Sequence, residues 1–253
     1  MGTLANKTVA ITRAFSQTQE MIHAIQRFGG IASCYPLLEI HLRSDDPVLR
    51  MAILMPVDLI VFTSVNGVRA YLDARVREEH CGASPSVVCV GAKTAEAAVT
   101  AGLTVVGIPP HFAAQYLVDL ICERHFEGRR ILLVRGNLAD PQLTADLQAL
   151  QCEVIDCVGY DTMPGPDAKR LWADIAKGKI DAVTFLSGSA VEVFVAERPK
   201  GSNLNHLILA AVGPKTQHVL LKFGLPCHVV ADDATGADLV DALANYFAQA
   251  PDF

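Results

Sequence analysis

The chain has 253 residues, 51% of them apolar and 19% charged, enough to bury one large core or two of ordinary domain size. No run of ~18 apolar residues lacks a charge, and the start, MGTLANK, has no apolar core behind a basic head, so a membrane span and a secretory signal are not expected and a cytoplasmic protein is. A net charge of −6 with no Lys/Arg block argues against nucleic acid as a partner, and seven cysteines without a CxxC or a Cys/His quartet at zinc spacing read as reduced, buried thiols with no metal.

Residues 7–12 read as a strand, and 18–28 as a helix with apolar spacing at Met21, Ile22 and Ile25 that stops at Gly29-Gly30. A second strand covers 31–37. A polar segment with Pro47 and a short helix, 48–54, lead to a third strand at 59–63. The pattern continues as helix 66–79, strand 86–90, helix 93–101, strand 105–108 and helix 114–124. It then begins again: strands at 130–135, 153–160, 181–186, 207–212 and 227–230, with helices at 141–150, 167–177, 189–197, 215–223 and 236–249 between and after them. Strands alternating with helices predict an α/β fold with parallel sheets covered on both faces.

The second half repeats the first. The segment DLIVFTSVNGV at 58–68 returns as DAVTFLSGSAV at 181–191, with Asp58, Phe62, Ser64 and Val68 answered by Asp181, Phe185, Ser187 and Val191. VGAKT at 90–94 returns as VGPKT at 212–216, VAITR at 9–13 is echoed by ILLVR at 131–135, and LVD at 117–119 recurs at 239–241. Four segments in one order at a nearly constant offset mark a unit of roughly 120 residues used twice. Duplication alone does not separate two consecutive domains, split near Gly128, from two domains that exchange strands.

In parallel sheets of this kind ligands bind beyond the carboxyl ends of the strands. That directs attention to residues 13–18, 63–66, 91–94 and 109–113, and to their counterparts 135–141, 187–189, 213–216 and 232–235. These loops are rich in Gly, Ser, Thr and Asn and poor in carboxylates, a composition suited to holding anions at helix N-termini. Common chemistry motifs are missing: there is no GxxxxGK[ST], no GxGxxG after the first strand, no GxSxG and no HExxH. Ser187-Gly188-Ser189 reads as a helix cap in preference to a nucleophile turn. Lys93 and Lys215 each sit in a first helical turn, where their charge opposes the dipole, so anion binding and a plain solvated lysine both fit. Arg13 and Arg135 end the first strand of each repeat, as carboxylate clamps or as members of structural ion pairs. Of eight histidines only His111 lies in a candidate ligand loop.

TSVNGV at 63–68, VGAKT at 90–94, the strand residues Tyr160-Asp161-Thr162 and AVGPKT at 211–216, in this order over nearly the whole chain, resemble the uroporphyrinogen-III synthase family. The resemblance implies two similar flavodoxin-like α/β domains joined by a two-stranded crossover ladder, with residues 1–38 plus 161–253 forming the domain that carries both termini and 39–160 the domain inserted between the crossover strands. It implies a hydro-lyase of heme biosynthesis that closes the linear tetrapyrrole hydroxymethylbilane, losing water and inverting the last pyrrole ring, with no cofactor and no metal. A monomer acting on a small molecule is expected, without nucleic acid or membrane. The family's catalytic tyrosine falls on Tyr160, as an acid that helps the hydroxyl leave, although a core tyrosine on a strand fits the residue equally. The family's substrate-lining positions fall on Thr63, Ser64, Thr94, Ser187, Ser189 and Thr216; Arg13, Asn66, Gly91, Lys93, Arg135, Gly188, Gly213 and Lys215 complete the expected binding set. The chain departs from the pattern at Leu186-Ser187-Gly188-Ser189, where the second threonine-serine pair has lost its threonine, and at Lys93 and Lys215, the lysines of the two GxKT segments. A cleft between the two domains is the expected place for the bilane. A non-catalytic tetrapyrrole or small-molecule sensor with a two-domain cleft remains as the alternative.

Overall fold

The computed structural model describes residues 2–15, 18–78, 85–110, 114–231 and 235–249. His111 and parts of the loops at 13–18, 109–113 and 232–235 lie outside them. In chain order the elements are β1 (Thr8–Ile11), α1 (Gln19–Arg27), β2 (Ile31–Cys34), β3 (Leu38–Leu42), α2 (Pro47–Leu54), β4 (Leu59–Phe62), α3 (Val65–Arg77), β5 (Ser86–Cys89), α4 (Ala92–Thr100), β6 (Val105–Gly107) and α5 (Ala114–Glu123). There follow β7 (Arg130–Gly136), α6 (Gln142–Ala149), β8 (Glu153–Pro164), α7 (Asp167–Ala176), β9 (Ala182–Phe185), α8 (Gly188–Ala196), β10 (Ile208–Ala211), α9 (Gly213–Lys222), β11 (Val229–Val230) and α10 (Gly236–Gln249). Among the described residues no helix is long and apolar enough to cross a membrane.

The chain divides into two compact units, Met1–Glu39 with Met163–Phe253, and Ile40–Thr162. The first contains a five-stranded sheet in the order β11-β10-β9-β1-β2, with parallel pairing throughout. Numbered within the unit, that is the 2-1-3-4-5 order of flavodoxin-like sheets. The second unit's sheet runs β3-β8-β7-β4-β5-β6, and its strands from β8 to β6 pair in parallel. Matched by the repeat, β7, β8, β4, β5 and β6 answer β1, β2, β9, β10 and β11, so the same order recurs with β3 added outside β8. Each sheet thus combines the first two strands of one repeat with the last three of the other.

The central strands read as unbroken apolar runs because both of their faces are covered. LIVF in β4 and ILAA in β10 are buried at every position, as is AVTF in β9, where the one polar side chain, Thr184, donates its hydroxyl to the Ala10 carbonyl at 3.0 Å. In the first unit α7, α8 and α9 cover one face, with Trp172 stacked on Phe194 at 4.3 Å and its indole N–H donating to the Phe194 carbonyl. Helices α1 and α10 cover the other through Ile25, Leu239 and Leu243. In the second unit α2, α3 and α4 pack on one face, and α5 and α6 on the other. Burying a side chain such as Phe62 or Phe185 contributes about 1.5–3 kcal/mol.

The reading of 31–37 as one strand, followed by a polar segment, needs correction. Pro36 has no N–H to give a ladder, so β2 ends at Cys34 and the chain starts again as β3 at Leu38. The apolar pattern does not show LEIHL, because four of its five residues are exposed and leave no clean apolar face to read; only the crossover ladder implied by the resemblance called for a strand at 35–40. The turn between is tied down on both sides. The Leu37 N–H donates to the Thr12 carbonyl, and the Gly165 N–H donates to the Leu37 carbonyl at 2.8 Å. Beside them the buried Tyr35 hydroxyl donates to Asp174 at 3.0 Å while the Arg170 guanidinium lies 4.2 Å over its ring. Burial, the bond to Asp174 and that carboxylate's charge together push the Tyr35 phenol up to about 12.

Candidate functional site

In the second unit the strand order brings the carboxyl ends of β8, β7, β4 and β5 side by side. Tyr160, Arg135, Thr63-Ser64 and Gly91-Lys93-Thr94 therefore share one rim of the sheet. In the first unit β1, β9 and β10 are likewise adjacent, and they gather Arg13, Ser187-Gly188-Ser189 and Gly213-Lys215-Thr216.

The two serines do the same local work. Ser64, in extended backbone, accepts the Gly67 N–H at 3.2 Å, and Ser187 accepts the Ala190 N–H at 3.2 Å. Both are N-caps, which stabilise a helix start by about 1 kcal/mol. A capping hydroxyl still holds its own proton, so each can donate outward. The first N–H groups of α3 and α8, on Val65 and Asn66 and on Gly188 and Ser189, have no intrahelical partner. Each mouth thus presents two backbone donors, a hydroxyl proton and the positive end of a helix. Thr63, Asn66 and Ser189 are half-buried beside them. Gly188 has its own packing reason, because a Cβ there would lie 2.9 Å from Val219 Cγ2.

Thr94 and Thr216 are 5% exposed, so their side chains are inside the units and the rim at these points consists of backbone. Gly91 (φ 98°) and Gly213 (φ 75°) turn the chain into α4 and α9 through conformations that a side chain would strain. Lys93 and Lys215 are exposed, and among the described residues neither makes an ion pair. Arg13 is half-buried, and loss of solvent pulls its pKa below the ordinary value while the charge of Glu20 opposes that shift. Arg135 is committed. It grips Asp156 through Nε at 2.6 Å and Nη2 at 3.0 Å, and Thr144 donates its hydroxyl to the same carboxylate at 2.7 Å. The bond to Asp156 raises the Arg135 pKa, so of the two readings for this residue the structure displays the ion pair.

Tyr160 stands where β8 changes step. Arg135 faces Val158 but Gly136 faces Tyr160, so Gly159 is an extra residue on β8, a bulge. A side chain at Gly159 would meet Val134 Cγ1 at 2.7 Å. The bulge lays the Tyr160 ring against Gly136, where a Cβ would come within 2.6 Å of Tyr160 Cζ and 2.8 Å of Oη. The ring is half-buried, and among the described residues no hydrogen bond holds the hydroxyl. Next to it Asn137 binds the strand at three points: its N–H donates to the Tyr160 carbonyl at 3.1 Å, its Oδ1 accepts the Thr162 N–H at 2.8 Å, and its Nδ2 donates to the Thr162 carbonyl at 3.4 Å.

Gly136 and Asn137 fell inside the loop 135–141 that the sequence singled out but were given no role there, and Gly159 and the carboxylate of Asp156 were missed. The available signal was the pair of glycines flanking Arg135 and Tyr160, since glycine in a strand marks a bulge or a close approach. Among the described residues no group of three or more His, Cys, Asp and Glu side chains could hold a metal ion.

A family model described as uroporphyrinogen-III synthase HemD matches residues 19–241. A protein of Methanothermobacter thermautotrophicus, provisionally named for the same activity, is 30% identical over 256 aligned positions covering 93% of this chain and 97% of its own. The uroporphyrinogen-III synthase of Chlorobaculum parvum is 24% identical over 250 positions, 94% of this chain and 98% of its own. Among solved structures, a substituted uroporphyrinogen III synthase from Thermus thermophilus aligns with a TM-score of 0.65 at 20% identity, over 96% of this chain and 99% of that one. The enzyme from Helicobacter pylori aligns at 0.63 and 14% identity, over 94% and 99%. At these identities the structural likenesses bear on the fold alone.

Proposed function

The chain belongs to the uroporphyrinogen-III synthase family, cyclising lyases of porphyrin biosynthesis, and on that premise we propose that it closes hydroxymethylbilane to uroporphyrinogen III with loss of water and inversion of the last ring. The observation that carries this reading is the doubled rim. Residues 63–66, 91–94, 187–189 and 213–216 hold no carboxylate, and two serine-capped helix mouths offer amide and hydroxyl donors. Such mouths suit the carboxylates of a polyacidic tetrapyrrole, each favourable contact contributing about 0.3–1 kcal/mol where solvent-exposed.

Chemistry asks little more of the protein than orientation. Departure of the bilane's hydroxyl as water takes up one proton and leaves an electrophilic azafulvenium cation. If the substituted carbon of the terminal ring attacks it first, a spiro intermediate forms; breaking that carbon's older methylene bond makes a second azafulvenium, which the ring's other α-carbon attacks, and loss of that carbon's hydrogen returns the proton and leaves the ring inverted. Tyr160 is assigned the proton donation: among the described residues its hydroxyl is uncommitted, and a phenol O–H is a hydrogen-bond donor. Binding is assigned to Thr63, Ser64, Asn66, Ser187, Gly188 and Ser189, and to the backbone at Gly91 and Gly213, with Arg13, Lys93 and Lys215 supplying charge. Arg135 supports the rim through Asp156. The reading extends to a cytoplasmic monomer that needs no cofactor.

The test supplies enzymatically made hydroxymethylbilane to the pure protein and separates the product isomers. Type III product above the protein-free control is expected. Type I alone would mean spontaneous closure beside a tetrapyrrole binder.

A further inference from the structure

The phenol assigned as acid sits on the far side of a bulge, and a bulge bends its strand and breaks the ladder with the partner strand locally. Beyond Gly159, the pairing of β8 with β7 reaches only Gly136 opposite Tyr160. The next residue of β7's loop takes over. The side-chain amide of Asn137 binds both the N–H and the carbonyl of Thr162, as a neighbouring strand's backbone would, while its own N–H holds the Tyr160 carbonyl. On the β7 side Tyr160 is thereby fixed by one bond at its own carbonyl and two at Thr162, while β3 pairs along the other edge of β8, where the Arg43 N–H donates to the Gly159 carbonyl at 2.8 Å and Arg43 Nε to Asp161 at 2.7 Å. On the ring side Gly136 supplies a surface without a Cβ, and any side chain there would displace Cζ and the hydroxyl. Gly136 is not among the positive-φ glycines, so its requirement is space and not backbone conformation.

We propose that Gly136 and Asn137 are positioning residues for the Tyr160 phenol, Asn137 replacing the missing ladder beyond the bulge and Gly136 forming the floor on which the ring lies. This rests on Tyr160 as the acid, and the two assignments separate experimentally. Asn137→Ala removes both bonds to Thr162, Asn137→Asp keeps the Oδ1 acceptor, and neither changes the ring.

The experiment measures kcat and KM for type III formation in Asn137→Ala, Asn137→Asp, Tyr160→Phe and the Asn137→Ala/Tyr160→Phe double variant, with melting temperatures alongside. Asn137→Ala is expected to lower kcat about tenfold in the parent and less than about twofold in the Tyr160→Phe background, because residues acting through one another are non-additive. Asn137→Asp is expected to restore kcat while raising KM, since it sets a negative charge beside an anionic substrate. If Asn137→Ala fails to fold, Gly136→Ala takes its place and must show the same dependence on the Tyr160 hydroxyl. Full turnover in Tyr160→Phe overturns the acid assignment and this proposal with it. A slow Tyr160→Phe combined with unchanged turnover in Asn137→Ala, or with an additive loss in the double variant, overturns the positioning role alone.

Discussion

The link between β2 and β3 and the strand β8 each carry a tyrosine, and the two have opposite fates. Tyr35, between β2 and β3, is 4% exposed; its hydroxyl donates to Asp174 and Arg170 covers its ring. Tyr160, on β8, lies over a glycine with its hydroxyl unbonded among the described residues. A phenol bonded to a carboxylate has its donor spent, whereas one resting on glycine keeps its donor available. The duplicated scaffold therefore supplies two similar strands, and their surroundings make one tyrosine a structural tie and leave the other with a hydroxyl free to donate.

Breaking this contrast should cost most at Tyr160. Tyr160→Phe is expected to lower turnover at least about tenfold, toward the 10²–10⁴ typical of a positioned acid, with the melting temperature unchanged. Tyr35→Phe should do the reverse, lowering the melting temperature by about 2–4 °C, the loss of one hydrogen bond, with turnover intact. Equal loss of turnover in both variants would erase the distinction. The rims offer a finer comparison: Ser64→Ala and Ser187→Ala should each lower stability by about 1 kcal/mol in denaturant titrations and raise KM, and a rise in only one would show that the substrate uses one mouth. A further comparison lies in alkali. The Tyr35 phenol titrates near 10 when unfolded and about 12 when folded, so its contribution is complete below pH 10 and disappears as pH climbs toward 12. Over that range the stability advantage of the parent over Tyr35→Phe should shrink; a constant difference would show that the phenol is not held protonated.

The buried strands were legible because their chemistry is local: LIVF and ILAA have apolar side chains on both faces and can be nothing else in an alternating α/β pattern. Ser64 and Ser187 were legible for a similar reason, since a cap depends on the next three residues. Arg135 was not, because its partner Asp156 lies on the neighbouring strand, 21 positions away, and only sheet order brings them together. The bulge at Gly159 was equally hidden, since an extra residue exists only relative to a partner strand. Duplication could not say which repeat lends strands to which unit, because the offset is the same in either arrangement.

That exchange of strands has a consequence for synthesis. The first two strands, complete by Cys34, have no central strand to join until β9 begins at Ala182, whereas the inserted unit is whole by Thr162. At about 5–20 residues per second, the interval is roughly 7–30 s, during which a nascent amino-terminal segment waits on the ribosome for its other half. The inserted unit should therefore fold first, and a chain cut near Gly128 should yield two fragments that are each unfolded alone and rebuild both sheets only when mixed.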